Sequence, residues 1–370
     1  MDKARIVIAS VLKPIMEPRA FGKIALSLRE TNKYHLNIIG FCPKKLPNLP
    51  GIRLTNIFGG HRTHYSRLWA PIKFIRELLR FKPSLVIVTT YELLPAALLG
   101  KVILGYKLVY DIQENYSKNV LFNRSPYGKL REITALFIRL VERISHRFID
   151  HYIFAEKSYP KEFPHIKKFI ILENKFAGQT APDKNQAIKD SATLLISGTI
   201  TPAYGIEEAI KWYLFLHTEM PQVNLKIIGH VPLKSFQKKI RILTCGHPGI
   251  SLNLSSLPLP STLLLEDLNA ADIVLLPYKD LDSIRSKIPT KLYESLAQHK
   301  PVLISNNPLW QELISPYPAG LCVDFSLPKE AKKHFVQLKS LGLYKKVPGD
   351  EVMWESEKPK LFALIQLLLG

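Results

Sequence analysis

The sequence predicts an α/β protein that consists of two doubly wound domains in tandem. Short apolar runs rich in Val, Ile and Leu alternate with longer runs of helical period along the whole chain. These short runs are continuously apolar, as is typical of parallel strands covered by helices on both faces. The length of 370 residues also favours two domains, because one domain has roughly 150 residues.

In the first half, predicted strands and helices alternate. Strands are predicted at 6–12, 35–41, 84–91, 107–112, 151–156 and 169–174, and helices at 19–31, 65–81, 92–104 and 127–148. Two helices carry an apolar stripe that we expect to face the core: Leu68, Ile72, Ile75 and Leu79 in one, and Ile133, Phe137, Leu140 and Ile144 in the other. Each also carries a basic stripe: Trp69, Lys73, Arg76 and Arg80 in the first, and Arg139, Arg143 and Arg147 in the second.

The second half repeats this alternation. Its strands are predicted at 192–200, 224–231, 250–255, 272–278, 301–306 and 320–325. The polar, aperiodic stretch 175–191 is predicted to link a first domain of residues 1–174 to a second domain of residues 192–355. Residues 356–370 are predicted to form a C-terminal helix that packs back on the first domain. Because ligands of doubly wound sheets bind beyond the carboxyl ends of the strands, we expect a cleft there, between two facing domains.

Composition excludes several classes of protein. Hydrophobic residues make up 46% of the chain and charged residues 22%, which excludes an intrinsically disordered protein. Cys42, Cys245 and Cys322 form no CxxC motif, so neither a disulfide framework nor a structural zinc site is expected. A D-x-D triplet at 280–282 matches chance frequency, and no metal is predicted. We expect no signal peptide and no spanning helix, and a cytoplasmic location, peripheral on the inner face of the cell membrane.

Positive charge is concentrated in the first half. The formal net charge is +20, and residues 1–175 contribute +17 of it through 30 Lys and Arg against 13 Asp and Glu. A basic half indicates an anionic partner, such as nucleic acid, anionic lipid or a phosphorylated substrate. No RNA- or DNA-binding motif accompanies the charge, so nucleic acid is not expected. The basic stripes fit solvated helix faces, or docking to an anionic membrane leaflet or to an acidic polysaccharide.

The candidate residues of the first half follow its predicted strands. The chain contains neither a P-loop nor a GxGxxG motif, which argues against a nicotinamide or ATP site. Arg19 lies at the predicted start of a helix, where it suits an anion or solvent. Glu92 and Asp111 are candidates for a general base or for recognition of sugar hydroxyls, with helix capping as the alternative. Gln113 and Glu114 follow Asp111 closely.

The second half combines glycines and cations after its strands. Gly198 permits close backbone approach after the first strand. The segment 275–308 carries Arg285, Lys287 and Lys291 in a half that is otherwise nearly neutral. Glu294 follows Lys291 by about one helical turn, so both side chains lie on the same side of the helix. A cationic cluster beside one carboxylate suits the diphosphate and the ribose diol of a nucleotide.

Four stretches resemble the retaining GT-B glycosyltransferases of the group-1, family-four class. They are KPSLVIVTTYELLPAALLGKVILGYKLVYDIQENY (82–116), SGTITPAYGIEEAI (197–210), NLKIIGHVP (224–232) and IPTKLYESLAQHKPVLIS (288–305). The last stretch resembles the donor-site segment P-x-K-x-x-E-x-x-A-x-x-x-P-V-I and is the most specific. The resemblance implies the GT-B fold, in which two Rossmann-like domains face each other across a cleft.

The resemblance also implies roles for single residues. Glu294 matches the second acid of the family's E-x7-E motif, which holds the donor ribose. Thr290 and Lys291 match the edge of the donor-phosphate site, and Gly198 matches the diphosphate loop.

The chain departs from the family pattern at four positions. Ser286 replaces the first acid of the E-x7-E motif. Thr199 and Tyr204 stand where the phosphate loop usually carries Arg and Lys. Gln113 replaces a histidine that could move a proton.

The sequence therefore predicts a hexosyltransferase-type enzyme that moves a sugar from a UDP- or GDP-linked donor to a hydroxyl of a glycan or lipid-linked acceptor, as in surface polysaccharide synthesis. Retention and the absence of a metal or cofactor are expected. The predicted donor-binding residues are Gly198, Thr199, Gly229, Arg285, Lys287, Thr290, Lys291 and Glu294. The predicted catalytic residues are Glu92, Asp111 and Lys287, and the acceptor-side residues are Arg19, Gln113 and Glu114. The alternatives are a sugar-nucleotide epimerase or hydrolase of the same fold, and a non-catalytic glycosyltransferase-like partner subunit.

Overall fold

The chain divides into two compact units. The structure, a computed structural model, describes residues 3–42, 46–60, 64–122, 128–181 and 187–370. Unit 1 comprises Met1–Ala177 together with Trp354–Gly370, and unit 2 comprises Gly178–Met353. Each unit is a doubly wound α/β domain with a parallel sheet, so the predicted fold class is confirmed. The first division, between Ala177 and Gly178, falls within the stretch 175–191 that the sequence analysis assigned to a linker.

In the described part of unit 1, the sheet has seven parallel strands in the order β3-β2-β1-β4-β5-β6-β7. They are β1 Ala4–Ala9, β2 Tyr34–Phe41, β3 Ile52–Phe58, β4 Leu85–Val88, β5 Lys107–Ile112, β6 His151–Phe154 and β7 Phe169–Ile171. The sequence analysis did not find β3. This strand lies at the edge of the sheet and exposes Arg53 and Asn56, so no continuous apolar run marks it.

The helices of unit 1 include those predicted at 19–31, 65–81, 92–104, 127–148 and 356–370, with short non-α turns at their ends, and two short helices, at 116–122 and 159–162, that were not predicted. A π-helix at Pro18–Ala25 continues as α1 Leu26–Glu30, followed by α2 Ala70–Phe81, α3 Leu94–Leu104, α4 Tyr116–Phe122, α5 Gly128–Ser145, α6 Tyr159–Glu162 and the C-terminal helix Lys358–Leu369. Tyr65–Trp69 and Tyr91–Leu93 are 3-10 turns that precede α2 and α3, and His146–Phe148 follows α5. Residue 127, the first of a predicted helix, lies outside the described residues.

Helices cover both faces of the unit 1 sheet. On one face, Val7, Val86 and Val88 pack with Phe74 and Leu78 of α2 and with Ala97 of α3. Tyr110 of this face donates a hydrogen bond to Glu142 of α5 (2.9 Å), which places α5 on the same side. On the other face, Ile6, Ile8 and Ile87 pack with Ile24 and Leu28, and with Leu361 and Ile365 of the C-terminal helix. Burial on both faces explains why the strands read as continuous apolar runs.

The predicted core-facing stripes of α2 and α5 are wrong. Seven of the eight residues are between 42% and 84% exposed: Leu68, Ile72, Leu79, Ile133, Phe137, Leu140 and Ile144. The buried residues are instead Phe74 and Leu78 in α2, and Ala135 and Ile138 in α5. Apolar residues occupy two sides of each helix, so periodicity alone did not identify the side that packs on the sheet. The basic residues of both stripes are exposed, as expected.

Unit 2 has the same architecture. Its parallel sheet has the order β10-β9-β8-β11-β12-β13, with β8 Thr193–Thr199, β9 Asn224–His230, β10 Ile250–Ser255, β11 Ile273–Leu276, β12 Val302–Ser305 and β13 Gly320–Val323. The helices are α7 Ile206–Glu219, α8 Lys234–Leu243, α9 Ser261–Ala270, α10 Asp282–Arg285, α11 Thr290–Ala297, α12 Pro308–Ile314 and α13 Ala331–Ser340. None of the helices in the described parts of the chain combines the length and apolar character needed to cross a bilayer.

Both sheets reverse their strand order beside the first strand. The reversal lies between β1 and β4 in unit 1 and between β8 and β11 in unit 2. Loops that leave two such strands turn to opposite faces of the sheet and open a crevice at the carboxyl edge, where ligands of this fold bind. The residues that follow these four strands therefore lie at the edges where a ligand is expected to bind.

The C-terminal residues complete the core of unit 1. Trp354 is buried, and its indole Nε1 donates a hydrogen bond to Ser27 Oγ (2.9 Å). Leu361, Leu364 and Ile365 of the following helix are buried in the same cluster. These contacts fix the last 17 residues, Trp354–Gly370, to the sheet that the first half of the chain builds.

Replacement of Trp354 by Ala should destabilise unit 1 by about 3–5 kcal/mol, because it removes a large buried side chain and leaves a cavity. Thermal unfolding followed by circular dichroism measures the effect. The control is Leu367→Ala on the same helix, since Leu367 is largely exposed. Equal melting temperatures for the two variants would contradict a structural role of Trp354.

Candidate functional site

In unit 2, glycines bring the strand ends into close contact. Gly198, near the end of β8, has a φ of +105°, which favours glycine. A Cβ atom at Gly229, on the neighbouring strand β9, would lie 1.9 Å from the carbonyl oxygen of Gly198. A Cβ atom on Gly198 itself would lie 3.2 Å from Lys291 Cε. The Lys291 side chain therefore passes directly over the backbone of Gly198.

Lys291 and Glu294 form an ion pair in the first turns of α11. Lys291 Nζ lies 2.6 Å from Glu294 Oε2, and both side chains are partly exposed. The helix is held on the sheet by the buried side chains of Leu292 and Leu296. Thr290 is its first residue, and its first turn contains no acidic side chain. The sequence analysis expected this pairing from the spacing, and the structure places it against the end of β8.

The loop between β8 and α7 is held against the end of β11. Gly205, the N-cap of α7, has a φ of +64°, and a Cβ atom there would lie 1.7 Å from the carbonyl oxygen of Pro277. The Tyr204 ring lies 4.4 Å from that of Tyr278, which in turn lies 5.3 Å from that of Trp310. Burial raises the pKa of Tyr278, so its hydroxyl stays protonated. Aromatic rings therefore line this side of the crevice.

The N-terminus of α7 is less suited to an anion than that of α11. Its first turn carries Glu207 and Glu208, which pair with Lys239 (2.6 Å) and Lys279 (2.8 Å). Although burial acts in the opposite direction, the contact with Lys279 lowers the pKa of Glu208, which is therefore ionised at neutral pH. Two carboxylates offset the positive end of the α7 dipole.

Arg285 is engaged by the carboxylates of the D-x-D triplet. Its Nε and Nη2 atoms donate to Asp280 Oδ1 (2.6 Å) and Oδ2 (2.8 Å), and Nη1 lies 3.6 Å from Asp282 Oδ1. The hydrogen bond from Arg285 lowers the pKa of Asp280. The two aspartates of the D-x-D triplet therefore bind the Arg285 guanidinium in this structure. Among the described residues, no group of three or more His, Cys, Asp or Glu could hold a metal ion.

The loop that follows Arg285 is anchored to the start of α12. Asn307 Nδ2 donates to the carbonyl of Arg285 (3.0 Å), and Trp310 Nε1 donates to the carbonyl of Lys287 (2.6 Å). Lys287 is half-buried, and Ser286 lies at the end of α10. Of the remaining donor-side candidates, Thr199 is the exposed last residue of β8.

In unit 1, Arg19 and Asp111 form a buried ion pair. Arg19 Nε lies 3.0 Å from Asp111 Oδ2 and Nη2 lies 2.8 Å from Oδ1, while their side chains are only 2% and 0% exposed. Arg19 Nη1 donates to the carbonyl of Leu172 (2.8 Å). Arg19 lies at the start of the helix Pro18–Ala25, as the sequence analysis expected, and the anion that it binds here is the Asp111 carboxylate of its own chain. The two residues lie 92 positions apart, so no local pattern predicts their contact.

Gln113 extends this pair towards the surface. Its Nε2 donates to Asp111 Oδ2 (3.0 Å), and its Oε1 accepts from Lys13 Nζ (2.8 Å). Lys13 also lies 3.3 Å from Glu114 Oε1. An amide can donate to one partner and accept from the other at once, which fits Gln at this position. The sequence analysis missed Lys13, which follows β1 and lies in a loop without a motif.

Glu92 lies in a pocket beside β1 and β4, at the strand-order reversal of unit 1. Arg67 Nε donates to Glu92 Oε2 (3.0 Å), and its Nη2 also contacts the carboxylate. Burial, followed by the charge of Glu92, raises the pKa of Tyr91 to about 12. The pocket is lined by Val11, His64, Tyr65, Arg67, Leu68, Ala70, Pro71, Glu92 and Leu93. His64 and Arg67 were missed because they follow β3, the strand that the sequence analysis did not find.

Comparisons with known proteins support the family suggested by the sequence. Residues 179–347 match the family model "Glycosyl transferases group 1", and these residues lie in unit 2. A search of curated proteins finds no significant match. The match to this family therefore lies within unit 2 and covers less than half of the chain.

Solved structures resemble the chain over its full length. Sucrose-phosphate synthase (tll1590) from Thermosynechococcus elongatus is 13% identical with a TM-score of 0.70, and 99% of each chain is covered. Anabaena Alr3699/HepE in complex with UDP and glucose is 13% identical with a TM-score of 0.64, covering 99% of this chain and 100% of that one. UDP-GlcNAc 2-epimerase from Methanocaldococcus jannaschii is 14% identical with a TM-score of 0.56, covering 99% and 100%. At these identities the likeness shows the fold, which is that of GT-B proteins.

The buried Arg19–Asp111 pair and the exposed Arg285–Asp280 pair have similar hydrogen bonds. Comparing them tests how burial changes the effect of an ion pair on the free energy of unfolding. Asp111→Asn should destabilise the protein by about 3–5 kcal/mol, because it leaves the Arg19 guanidinium buried without its counter-charge. Asp280→Asn should leave the free energy of unfolding nearly unchanged, because its pair with Arg285 is exposed to solvent. Urea unfolding of the two variants measures both effects. A stability loss of equal size in the two would refute the structural role of the buried pair.

Proposed function

We propose that this chain, whose residues 179–347 match the group-1 glycosyltransferase family model, transfers a hexosyl unit from a UDP- or GDP-linked sugar to a hydroxyl of a glycan or lipid-linked acceptor. One observation carries the proposal. Within the matched domain, Lys291 lies over the glycine backbone at the end of β8 and pairs with the carboxylate of Glu294. This is the edge of the sheet where ligands of the fold bind.

The donor nucleotide is proposed to bind at this edge of unit 2. The Glu294 carboxylate would accept hydrogen bonds from the two ribose hydroxyls, while Lys291 Nζ would turn from Glu294 to the diphosphate. Gly198, Gly229 and Thr199 would border the phosphates, because the two glycines let the strand ends and the Lys291 side chain approach one another closely. The N-terminus of α11 at Thr290 adds N–H groups and, having no acid in its first turn, a favourable dipole.

In the proposed reaction, the bond between the anomeric carbon and the β-phosphate oxygen breaks, and its electron pair stays on the diphosphate. The acceptor oxygen forms the new bond on the same face of the sugar, with retention, and its proton passes to the departing phosphate. Lys291 would stabilise the charge that develops on the diphosphate, with Lys287 and Arg285 as further cations in place of a metal ion. The neutral residues Thr199 and Tyr204 cannot supply this charge.

The acceptor is proposed to bind unit 1, at the pocket that contains Glu92. The Arg67–Glu92 pair offers both donors and acceptors to sugar hydroxyls, and Gln113 and Glu114 lie on the outer part of a second polar cluster. Asp111 and Arg19 are proposed to support this cluster from below, since they are buried. We place the chain in the cytoplasm, since its three cysteines are free, as is usual in a reducing compartment.

An epimerase or hydrolase is the alternative function that the sequence analysis left open, and the shared fold of UDP-GlcNAc 2-epimerase does not favour it over sugar transfer. A thermal-shift screen of UDP- and GDP-sugars is the first experiment: a ligand at 100 times its dissociation constant adds about 2.7 kcal/mol. Product analysis with and without an acceptor then separates the reactions. Donor binding without turnover would instead indicate a non-catalytic partner subunit.

Glu294→Gln should weaken donor binding at least tenfold, because two charge-assisted hydrogen bonds to the ribose, each worth roughly 1.5–3 kcal/mol, become neutral. Isothermal titration with the donor found in the screen measures the affinity. Glu312→Gln is the control, since Glu312 is an exposed acid of the same unit on α12. Unchanged affinity in a folded Glu294→Gln variant would remove Glu294 from the donor site.

Lys291→Ala should lower kcat by two or more orders of magnitude, because the charge on the departing diphosphate loses its nearest cation. Steady-state kinetics with the same donor gives kcat and KM separately. The matched control is Lys333→Ala, which removes an exposed lysine of α13 in the same unit. If Lys291→Ala and Lys333→Ala turn over equally fast, the diphosphate binds elsewhere.

A further inference from the structure

An apolar surface runs along α5. Leu130, Ile133, Leu136, Phe137, Leu140 and Ile144 are each at least 52% exposed. They recur at intervals of three, four and seven residues and so share one side of the helix, away from the buried Ala135 and Ile138. Six neighbouring apolar side chains in solvent exceed the scattered exposure that is normal for a soluble domain.

The neighbouring helices extend this surface. The helix α3 packs against both α2 and α5, and all three lie on one face of the unit 1 sheet. Leu99, Val102 and Ile103 of α3 and Ile72 of α2 are also more than half exposed. We refer to these residues together with the six of α5 as the apolar face.

Basic residues flank the apolar face. Arg139 and Arg143 of α5 and Arg147 of the 3-10 turn that follows it are spaced four residues apart beside the apolar side chains, and all three are exposed. On α2, Lys73 and Arg76 are exposed next to Ile72. An amphipathic helix with large apolar residues on one side and arginines beside them is typical of segments that lie in the interface of a lipid membrane.

We infer that the apolar face docks on an anionic membrane, with the α5 side chains entering the headgroup boundary and the flanking cations contacting lipid phosphates. The positive charge beside the apolar face favours a membrane over a second copy of the chain as its partner. In a symmetric dimer through this face, Arg139, Arg143 and Arg147 of both copies would approach one another, and like charges oppose such a contact. An anionic leaflet complements the apolar and the basic residues together.

Docking would bring the membrane next to the Glu92 pocket. Tyr65 and Leu68 line this pocket and are largely exposed, and the turn that carries them leads directly into α2. A lipid-linked acceptor could therefore reach the pocket without leaving the bilayer surface. This last step rests on the proposed function, whereas docking itself is independent of donor, acceptor and turnover.

Vesicle co-sedimentation of the full chain tests the inference without any sugar donor. We expect binding to vesicles of phosphatidylcholine with phosphatidylglycerol, little binding to phosphatidylcholine alone, and weaker binding at high salt, because salt screens the arginines. The triple variant Arg139→Ser/Arg143→Ser/Arg147→Ser should lose at least tenfold in affinity. Its matched control is Lys234→Ser/Lys238→Ser/Arg241→Ser, which removes three exposed cations from α8 of unit 2 and should bind as wild type.

The double variant Phe137→Ser/Leu140→Ser tests apolar insertion separately, and it should lose the binding that persists at high salt. Trp69, 59% exposed beside α2, is a built-in probe, because the other tryptophans, Trp212, Trp310 and Trp354, are buried. Its emission should shift to the blue on anionic vesicles, and Trp69→Phe should abolish the shift.

Three outcomes would overturn the inference. They are equal binding to neutral and anionic vesicles, no binding at low salt, and equal loss in the α5 and α8 triple variants. A wild-type dimer in light scattering that Phe137→Ser/Leu140→Ser converts to a monomer would assign the face to a second copy instead.

Discussion

The candidate donor site depends on backbone contacts that only glycine permits. Gly229 meets the carbonyl of Gly198, and Gly205 meets the carbonyl of Pro277, at separations that leave no room for a Cβ atom. These contacts fix the ends of β8, β9 and β11 relative to one another. Because Gly198 has no side chain, Lys291 can extend across it, and the cation and carboxylate of α11 lie where the strand-order reversal opens the sheet.

The ion pairs of the two units differ in how deeply they are buried. In unit 1, Arg19 and Asp111 neutralise each other in the core, and the neutral side chain of Gln113 connects Asp111 to the charge of Lys13 near the surface. Such a buried pair is weak support for stability but costly to break, so it fixes geometry rather than reacting with a ligand. In unit 2, Lys291 and Glu294 stay partly exposed, and each can exchange its partner for a group of a substrate. The difference explains why the second pair is the better candidate for chemistry.

Sequence reasoning correctly predicted the features that depend on residues close together in the chain. Parallel strands buried on both faces and the pairing of Lys291 with Glu294 one turn later both follow from neighbouring residues. Sequence reasoning did not predict the contacts between residues that are far apart in the sequence. Arg19 with Asp111 and Lys13 with Gln113 join segments about 100 residues apart, and no periodicity reports such contacts. The faces of α2 and α5 were misassigned for a related reason, since two apolar sides compete and only the sheet decides between them.

The return of the chain to unit 1 has a consequence for biosynthesis. Unit 2 is one continuous segment, whereas unit 1 combines Met1–Ala177 with Trp354–Gly370, which are synthesised after unit 2. While unit 2 is being made, Ile6 and Ile8 can pack with the helix that carries Ile24, but the side of this core that Leu361 covers stays open to solvent. The core of unit 1 is therefore completed only after unit 2 has been synthesised.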